Sequence, residues 1–437
     1  MPRRVLMVSP HFPPDTSAGA HRVRLLAPHL PRFGWEPTVL AVDPRDVETR
    51  LDPGLAALVP ADLRVIRARA WPARWTRRLG VGDLGLRALR GLHRAAGDLL
   101  ARERFDAVFI TIFPTYPAIL GPILKRRFGA PFVLDYIDPW VGEWGRTVGG
   151  GPNGHADAKS RLSRALAARL EPRVARAAAA ITAVSEGTYE AVRARHPELA
   201  ATPCAAIPFG GEAADFGAAR RAAPARRLWD PGDGDVHLVY VGTLLPLGIE
   251  TLRAVLAAAR LVRRGPARPR LRLHFVGTSN QTSADAPARV GPIAREMGVA
   301  DMVTEIAPRV DYLDALRAHL DADAVLLMGS SERHYTASKL YPALLSGRPI
   351  VAAFHEASSV VEILRRAGRP PAVRLVTYGD AERAESRSGA IADALSDLAA
   401  DPAGGAGGID PAVLDECSAE AMARRLAGVL DGVIARR

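Results

Sequence analysis

Ala324-Val325-Leu326-Leu327-Met328 and, a few residues on, Tyr335-Thr336-Ala337-Ser338-Lys339-Leu340-Tyr341-Pro342-Ala343-Leu344-Leu345-Ser346-Gly347-Arg348-Pro349-Ile350-Val351 form the stretch that decides the fold. The first run is short, wholly apolar and bounded by polar residues, and a second runs from Pro349 to Phe354. Both read as strands buried on both faces, as in a parallel sheet. A polar loop and one short helix ending at Gly347 join them. A helix that begins at the carboxyl end of a parallel strand presents unpaired N–H groups and the positive end of its dipole, which favours an anion. Ser338 brings a hydroxyl and an amide to that point, and Lys339 a full charge. The alternative is a surface lysine beside an N-cap serine. Usage speaks against it, because Lys125, Lys159 and Lys339 are the only lysines in an arginine-rich chain.

The same rhythm runs outward. Val236 to Thr243, Leu271 to Thr278, Met302 to Val310 and Val373 to Tyr378 complete one series of expected strands. Val5 to Ser9, Pro37 to Asp43, Leu63 to Ala68, Ala107 to Ile112, Phe132 to Ile137, Ala180 to Ser185 and Cys204 to Gly210 form an earlier one. Strands spaced by helix-length segments specify doubly wound α/β domains with parallel sheets. At 437 residues the chain exceeds one ordinary core, so two domains are expected. Residues 1–214 read as the first and 215–410 as the second, joined by a polar, Pro-containing link around 213–234. His21 to Phe33 reads as the helix that follows the first strand, and residues 401–410 as a flexible link. Residues 411–437 carry Met422, Leu426, Val429, Leu430 and Val433 at helical spacing, a closing amphipathic helix expected to pack back across the domain junction. The opening loop holds a single glycine, Gly19, so the dinucleotide fingerprint G-x-G-x-x-G is absent.

Composition is globular, with 48% hydrophobic and 24% charged residues and a mean hydropathy of +0.02. The net charge of +11 is unevenly placed: between Arg64 and Arg104 eleven arginines face only Asp83, Asp98 and Glu103. Trp71 and Trp75 sit among them, followed by Leu79, Leu84, Leu86, Leu89, Leu92, Leu99 and Leu100. This mixture suits a surface that meets anionic lipid headgroups, and equally a solvated arginine-rich helix face. No aromatic-basic module for nucleic acid is present. No apolar run approaches the ~18 to 20 residues that cross a bilayer, and Met1 to Pro10 is apolar too briefly for a signal peptide. Contact with a membrane would therefore be peripheral. Cys204 and Cys417 form no spaced framework, which points to the cytoplasm.

Two patterns are set aside. Asp321-Ala322-Asp323 matches a D-x-D metal motif but directly precedes a buried strand, where a structural or solvated role is expected. His11, His21 and His155 have no partner at metal-ligand spacing.

Several segments in order resemble the family 4 glycosyltransferases, sugar-nucleotide-dependent enzymes of the two-domain GT-B fold. They are Val8-Ser9 with Phe12-Pro13-Pro14, Gly19 and Arg22; Leu134-Asp135-Tyr136-Ile137-Asp138-Pro139-Trp140; Tyr240-Val241-Gly242-Thr243-Leu244; Phe275-Val276-Gly277; Pro308-Arg309-Val310; and Ser338-Lys339-Leu340-Tyr341 with Ser346-Gly347-Arg348-Pro349. The resemblance implies two Rossmann-like domains with a cleft between them, a nucleotide-diphosphate sugar on the second and an acceptor on the first. Lys339, with the amides of Ser338 and Leu340, would hold the diphosphate and stabilise its developing charge. Gly242, Thr243 and Gly277 would border the donor, Arg309 and Val310 would bond the base, and Gly19 would let the first domain's loop close near the diphosphate. Asp138 would contact sugar or acceptor hydroxyls, and His11 and Trp140 would complete the acceptor side.

The resemblance further implies retention of anomeric configuration with neither cofactor nor metal, the donor's phosphate serving as base. No carboxylate pair suited to a double displacement is evident. The chain also departs from the family. Pro342 stands where a ribose-binding glutamate is usual, Thr243 and Leu247-Gly248 where an arginine and a lysine are usual, and Ile137 where an arginine is usual. Thr111-Ile112-Phe113 lacks the usual histidine. Arg309, Arg333 or Arg348 could compensate for the missing cations. The expected function is thus sugar transfer to a sugar or lipid-linked acceptor in polysaccharide or glycoconjugate assembly, in the cytoplasm or on the inner membrane face. A catalytically silent nucleotide-sugar-binding partner protein and a nucleotide-sugar epimerase are the alternatives.

Overall fold

In the computed structural model every one of the thirteen expected strands is present. The structure describes residues 2–141, 158–222, 228–230, 232–264, 270–279, 281–331 and 338–436. His155, Arg333 and residues 335–337 of the quoted stretch lie outside them. The first sheet contains β1 (Arg3–Val8), β2 (Trp35–Val42), β3 (Arg64–Ala68), β4 (Ala107–Thr111), β5 (Phe132–Tyr136), β6 (Ala180–Ala183) and β7 (Cys204–Ala206). Its order is β3-β2-β1-β4-β5-β6-β7, parallel throughout. The second contains β8 (Val236–Val241), β9 (Leu271–Val276), β10 (Val303–Ile306), β11 (Ala324–Met328), β12 (Ile350–His355) and β13 (Val373–Tyr378). Its order, β10-β9-β8-β11-β12-β13, is again wholly parallel.

Two compact units result. One comprises Met1–Phe209 with Ala419–Arg437, the other Gly210–Ser418. Within the first, successive β1 side chains serve opposite faces, as the two-residue period of a strand requires. Leu6 and Val8 pack with Ala88, Leu92, Ala96 and Leu99 of the Leu84–Arg102 helix. Val5 and Met7 pack with Met422, Ala423, Leu426 and Leu430 of the Ala419–Ala435 helix. This last helix is fixed further by Trp35 Nε1 and Arg3, which reach Asp431 at 2.8 and 2.6 Å.

Three segments differ from their sequence reading. The helix after β1 spans Ala18–Leu26 and continues as a tighter 3₁₀ turn, Ala27–Phe33, where Pro31 removes a backbone donor. The stretch around 213–234 is not all link: Ala213–Arg221 is a helix whose Phe216 and Ala219 pack on Leu316 and Leu320. Nor is 401–410 loose. Gly405 and Gly407 have φ of 86° and 71°, and backbone bonds of 2.8 Å tie Gly407 to Gly347 and Asp410 to Ala367. The glycines read as flexibility are there for left-handed turns.

In each sheet the strand order reverses at one place, beside β1 and β4 in the first and beside β8 and β11 in the second. Doubly wound sheets bind their ligands outside the carboxyl ends of the strands at that point.

Candidate functional site

In the second unit, Lys339 comes to the β8 and β11 strand ends. Its Nζ donates to the Tyr240 hydroxyl and, at 2.8 Å, to the Thr243 carbonyl, and it lies 4.4 Å from the Tyr240 ring centroid. Gly242 makes this possible. Its φ of 125° suits glycine, and a Cβ there would stand 2.5 Å from Lys339 Cε. Among the described residues Lys339 has no carboxylate partner. Burial alone pushes its ammonium down to about 7. Among the described residues two of its three N–H bonds are used, which leaves one toward an anion.

Around this lysine the predicted residues divide. Gly242 and Gly277 end β8 and β9, their amides bonded to Val276 and Ile306 at 2.8 and 2.7 Å. Leu340 is buried and opens the short Leu340–Leu345 helix. Ser338 is exposed and caps nothing: Lys339 itself takes the N-cap position. The Arg309 amide is already committed to the Gln281 carbonyl at 2.9 Å, so it is not free for a base. Val310 lines a small separate cavity of about 100 Å³ with Trp229 and Ile306. Arg348 donates to the Leu320 carbonyl, a structural use.

Both halves of the D-x-D pattern are also used structurally. Asp323 Oδ2 accepts from the His237 amide at 2.8 Å, and Asp321 pairs with Arg317 at 2.8 Å.

In the first unit, His11, Asp138 and Trp140 line one cavity of about 1340 Å³, at the ends of β1, β4 and β5. His11 Nδ1 pairs with Asp15, which also accepts from Thr49 Oγ1 at 2.6 Å and the Ser17 amide at 2.8 Å. Burial works against the Asp15 carboxylate, but these hydrogen bonds hold it below its ordinary range. Asp83 joins the same wall as N-cap of the Leu84–Arg102 helix, bonding the Leu86 amide at 2.8 Å. Burial raises both Asp83 and Asp138, the latter open on its cavity side. Trp140 is fully buried, and its indole N–H has no partner among the described residues. Gly19 lies inside a helix rather than in a closing loop. A Cβ there would fall 2.3 Å from Phe113, which packs on His11.

Tyr240, Asp15 and Asp83 were not singled out by sequence. Asp15 carried a signal in its four-residue spacing from His11, and Tyr240 in sharing a strand face with Gly242. Asp83 reads from sequence only as a helix cap.

Residues 17–210 match the profile of the glycosyl transferase 4-like domain. A D-inositol 3-phosphate glycosyltransferase of Geodermatophilus obscurus is 32% identical over 148 residues, 34% of this chain and 32% of that protein. The chain thus spans about a third of that curated relative. Over nearly the whole length the fold is that of Anabaena HepE, solved with UDP-glucose (TM-score 0.59, 15% identity, 98% of this chain and 99% of that one). A UDP-forming α,α-trehalose-phosphate synthase from Burkholderia xenovorans is similar (TM-score 0.60, 11% identity, 99% of each chain). The expected two-domain parallel-sheet architecture stands, and the resemblance to the family 4 glycosyltransferases is matched over residues 17–210.

Proposed function

We propose, from the premise that residues 17–210 form a glycosyl transferase 4-like domain, that this protein is a glycosyltransferase. It moves a sugar from a nucleotide-diphosphate sugar held by the second domain to an acceptor hydroxyl held by the first. The observation that carries this reading is Lys339, a half-buried ammonium at the β8 and β11 ends with no carboxylate partner among the described residues. A partly desolvated charge without a counter-charge is costly, and a diphosphate would relieve that cost. As the glycosidic bond to the diphosphate breaks, negative charge grows on the leaving group, and a fixed cation there stabilises the transition state more than the ground state.

In this reading Ser338, Leu340, Gly242, Thr243 and Gly277 border the diphosphate. His11, Asp138 and Trp140 meet the acceptor. Family resemblance supports retention of configuration, with the departing phosphate taking the acceptor's proton and no metal required. The acceptor is a sugar or a lipid-linked sugar of polysaccharide or glycoconjugate assembly. The setting is the cytoplasm, with residues 64–104 toward an anionic membrane face.

The test is release of nucleoside diphosphate on incubation with sugar nucleotides, UDP-glucose first, with and without Lys339→Ala. Full turnover in the variant would overturn the site. Binding without turnover across a broad acceptor panel would favour the silent partner protein, and an epimer formed from donor alone would favour the epimerase.

A further inference from the structure

The cavity of the first unit joins a polar part to an exposed apolar mouth. In the polar part Trp140 is fully buried and His11 nearly so, with the half-buried Asp83 and the exposed Asp138 on the same lining. Leu79, Leu162 and Leu166 line the same cavity yet are 83%, 71% and 41% exposed. Leu162 and Leu166 stand four residues apart on the Ala158–Ala177 helix and so share one face. Large apolar side chains held in water beside a binding cavity mark a surface meant for an apolar partner.

A charge feature adjoins this mouth. Arg74 and Arg78 both lie over the Trp75 ring, at 5.6 and 5.4 Å from its centroid. All three side chains are exposed, and Leu79 follows directly in sequence. Among the described residues neither arginine has a carboxylate partner, whereas the neighbouring Arg77 is paired with Glu48 at 3.0 Å. Two stacked guanidinium groups without a counter-ion, next to exposed leucine and tryptophan, are complementary to a phosphate that carries a hydrocarbon chain.

We infer that the acceptor is a membrane-borne amphiphile. Its hydroxyl-bearing head reaches the polar part at His11, Asp83 and Asp138, its phosphate meets Arg74 and Arg78, and its hydrocarbon chain runs along Leu79, Leu162 and Leu166. This rests on the acceptor-side reading above and deepens it by choosing the lipid-linked class over a free sugar.

The experiment titrates the full-length protein with methyl, hexyl and octyl β-D-glucopyranoside below their micelle concentrations, following binding by calorimetry. Affinity is expected to rise about fourfold for each methylene that becomes buried. Leu162→Ser with Leu166→Ser, both at exposed positions, should flatten that rise. Arg74→Gln with Arg78→Gln should weaken binding to phosphatidylcholine vesicles containing phosphatidylglycerol by about tenfold or more, with little effect on vesicles of phosphatidylcholine alone. Equal affinity for methyl and octyl glucoside, no binding of any glucoside, or a chain-length dependence that survives the leucine changes would overturn the inference. UDP affinity, measured on the same samples, should be unchanged by all four substitutions. Its absence from the unmodified protein would count against the donor site while leaving the acceptor inference standing.

Discussion

Arg22 and Asp135, 113 residues apart, form a two-pronged ion pair with both side chains fully buried: Nε to Oδ2 at 2.8 Å and Nη2 to Oδ1 at 2.7 Å. Thr182 Oγ1 donates to the same carboxylate at 2.7 Å, and Arg22 Nη1 caps the Ile207 carbonyl at 2.6 Å. One arginine thereby ties the Ala18–Leu26 helix to β5 and the segment after β7. Of the two aspartates in Leu134-Asp135-Tyr136-Ile137-Asp138, the first is structural and only the second faces the cavity.

Removing one partner of this pair strands a buried charge. Arg22→Leu should cost about 3 to 5 kcal/mol in urea unfolding, and Arg22→Leu with Asp135→Leu less than the sum of the two single changes. Additive losses would mean that the pair is not coupled.

Lys339→Ala should lower turnover by about 10²- to 10³-fold. Its melting temperature should hold or rise, because an unpaired buried cation has been removed. Lys339→Arg should not restore the rate, since a wider, planar guanidinium replaces a compact ammonium packed on Gly242. A loss of rate that tracks a loss of folding would argue against the assigned role.

With its ammonium pushed down to about 7 by burial, Lys339 is mostly neutral at pH 8 in the free protein. A bound diphosphate favours the charged form and raises that value, so binding must take up protons. Affinity should be highest below pH 7 and fall as pH rises through it. Calorimetry of UDP binding at pH 8, in two buffers of unlike ionisation enthalpy, should report net uptake. Zero uptake would show that the phosphate does not meet this side chain.

His274 and His319, both pushed down to about 4 chiefly by burial, make the second unit acid-sensitive. Between pH 6.5 and 4 the unfolded chain binds protons that the folded chain refuses. Stability should be full above 6.5 and fall toward 4, by on the order of 1 to 3 kcal/mol per histidine. His274 is further held by the His237 ring at 2.9 Å and by stacking on Trp229. Melting curves across this range should flatten in His274→Gln with His319→Gln, and an unchanged slope would remove these two groups as the cause.

The architecture was legible because parallel strands buried on both faces must be continuously apolar, as Ala324–Met328 is. Lys339 stood out through its rarity and its place between two such runs. Hidden from sequence was what depends on distant backbone. Asp83 meets His11 only because the Leu84–Arg102 helix packs beside β1, and Arg22 finds Asp135 only across the finished sheet. The alternative of Ser338 as an N-cap does not hold, for a local reason: Lys339 adopts helical φ and ψ and becomes the cap, while the serine remains in the preceding turn. Residues 401–410 misled because glycine signals freedom in a link and a left-handed turn in a packed loop alike.

The return of Ala419–Ala435 to the first sheet sets an order of assembly during synthesis. Val5 and Met7 emerge from the ribosome before the second unit, yet the helix that packs on their face is made only after it. The second unit, contained wholly between Gly210 and Ser418, has all of its strands before that helix appears. The second unit can therefore mature first, while the unit begun before it waits with one apolar face bare, the interval in which a nascent chain most needs a chaperone.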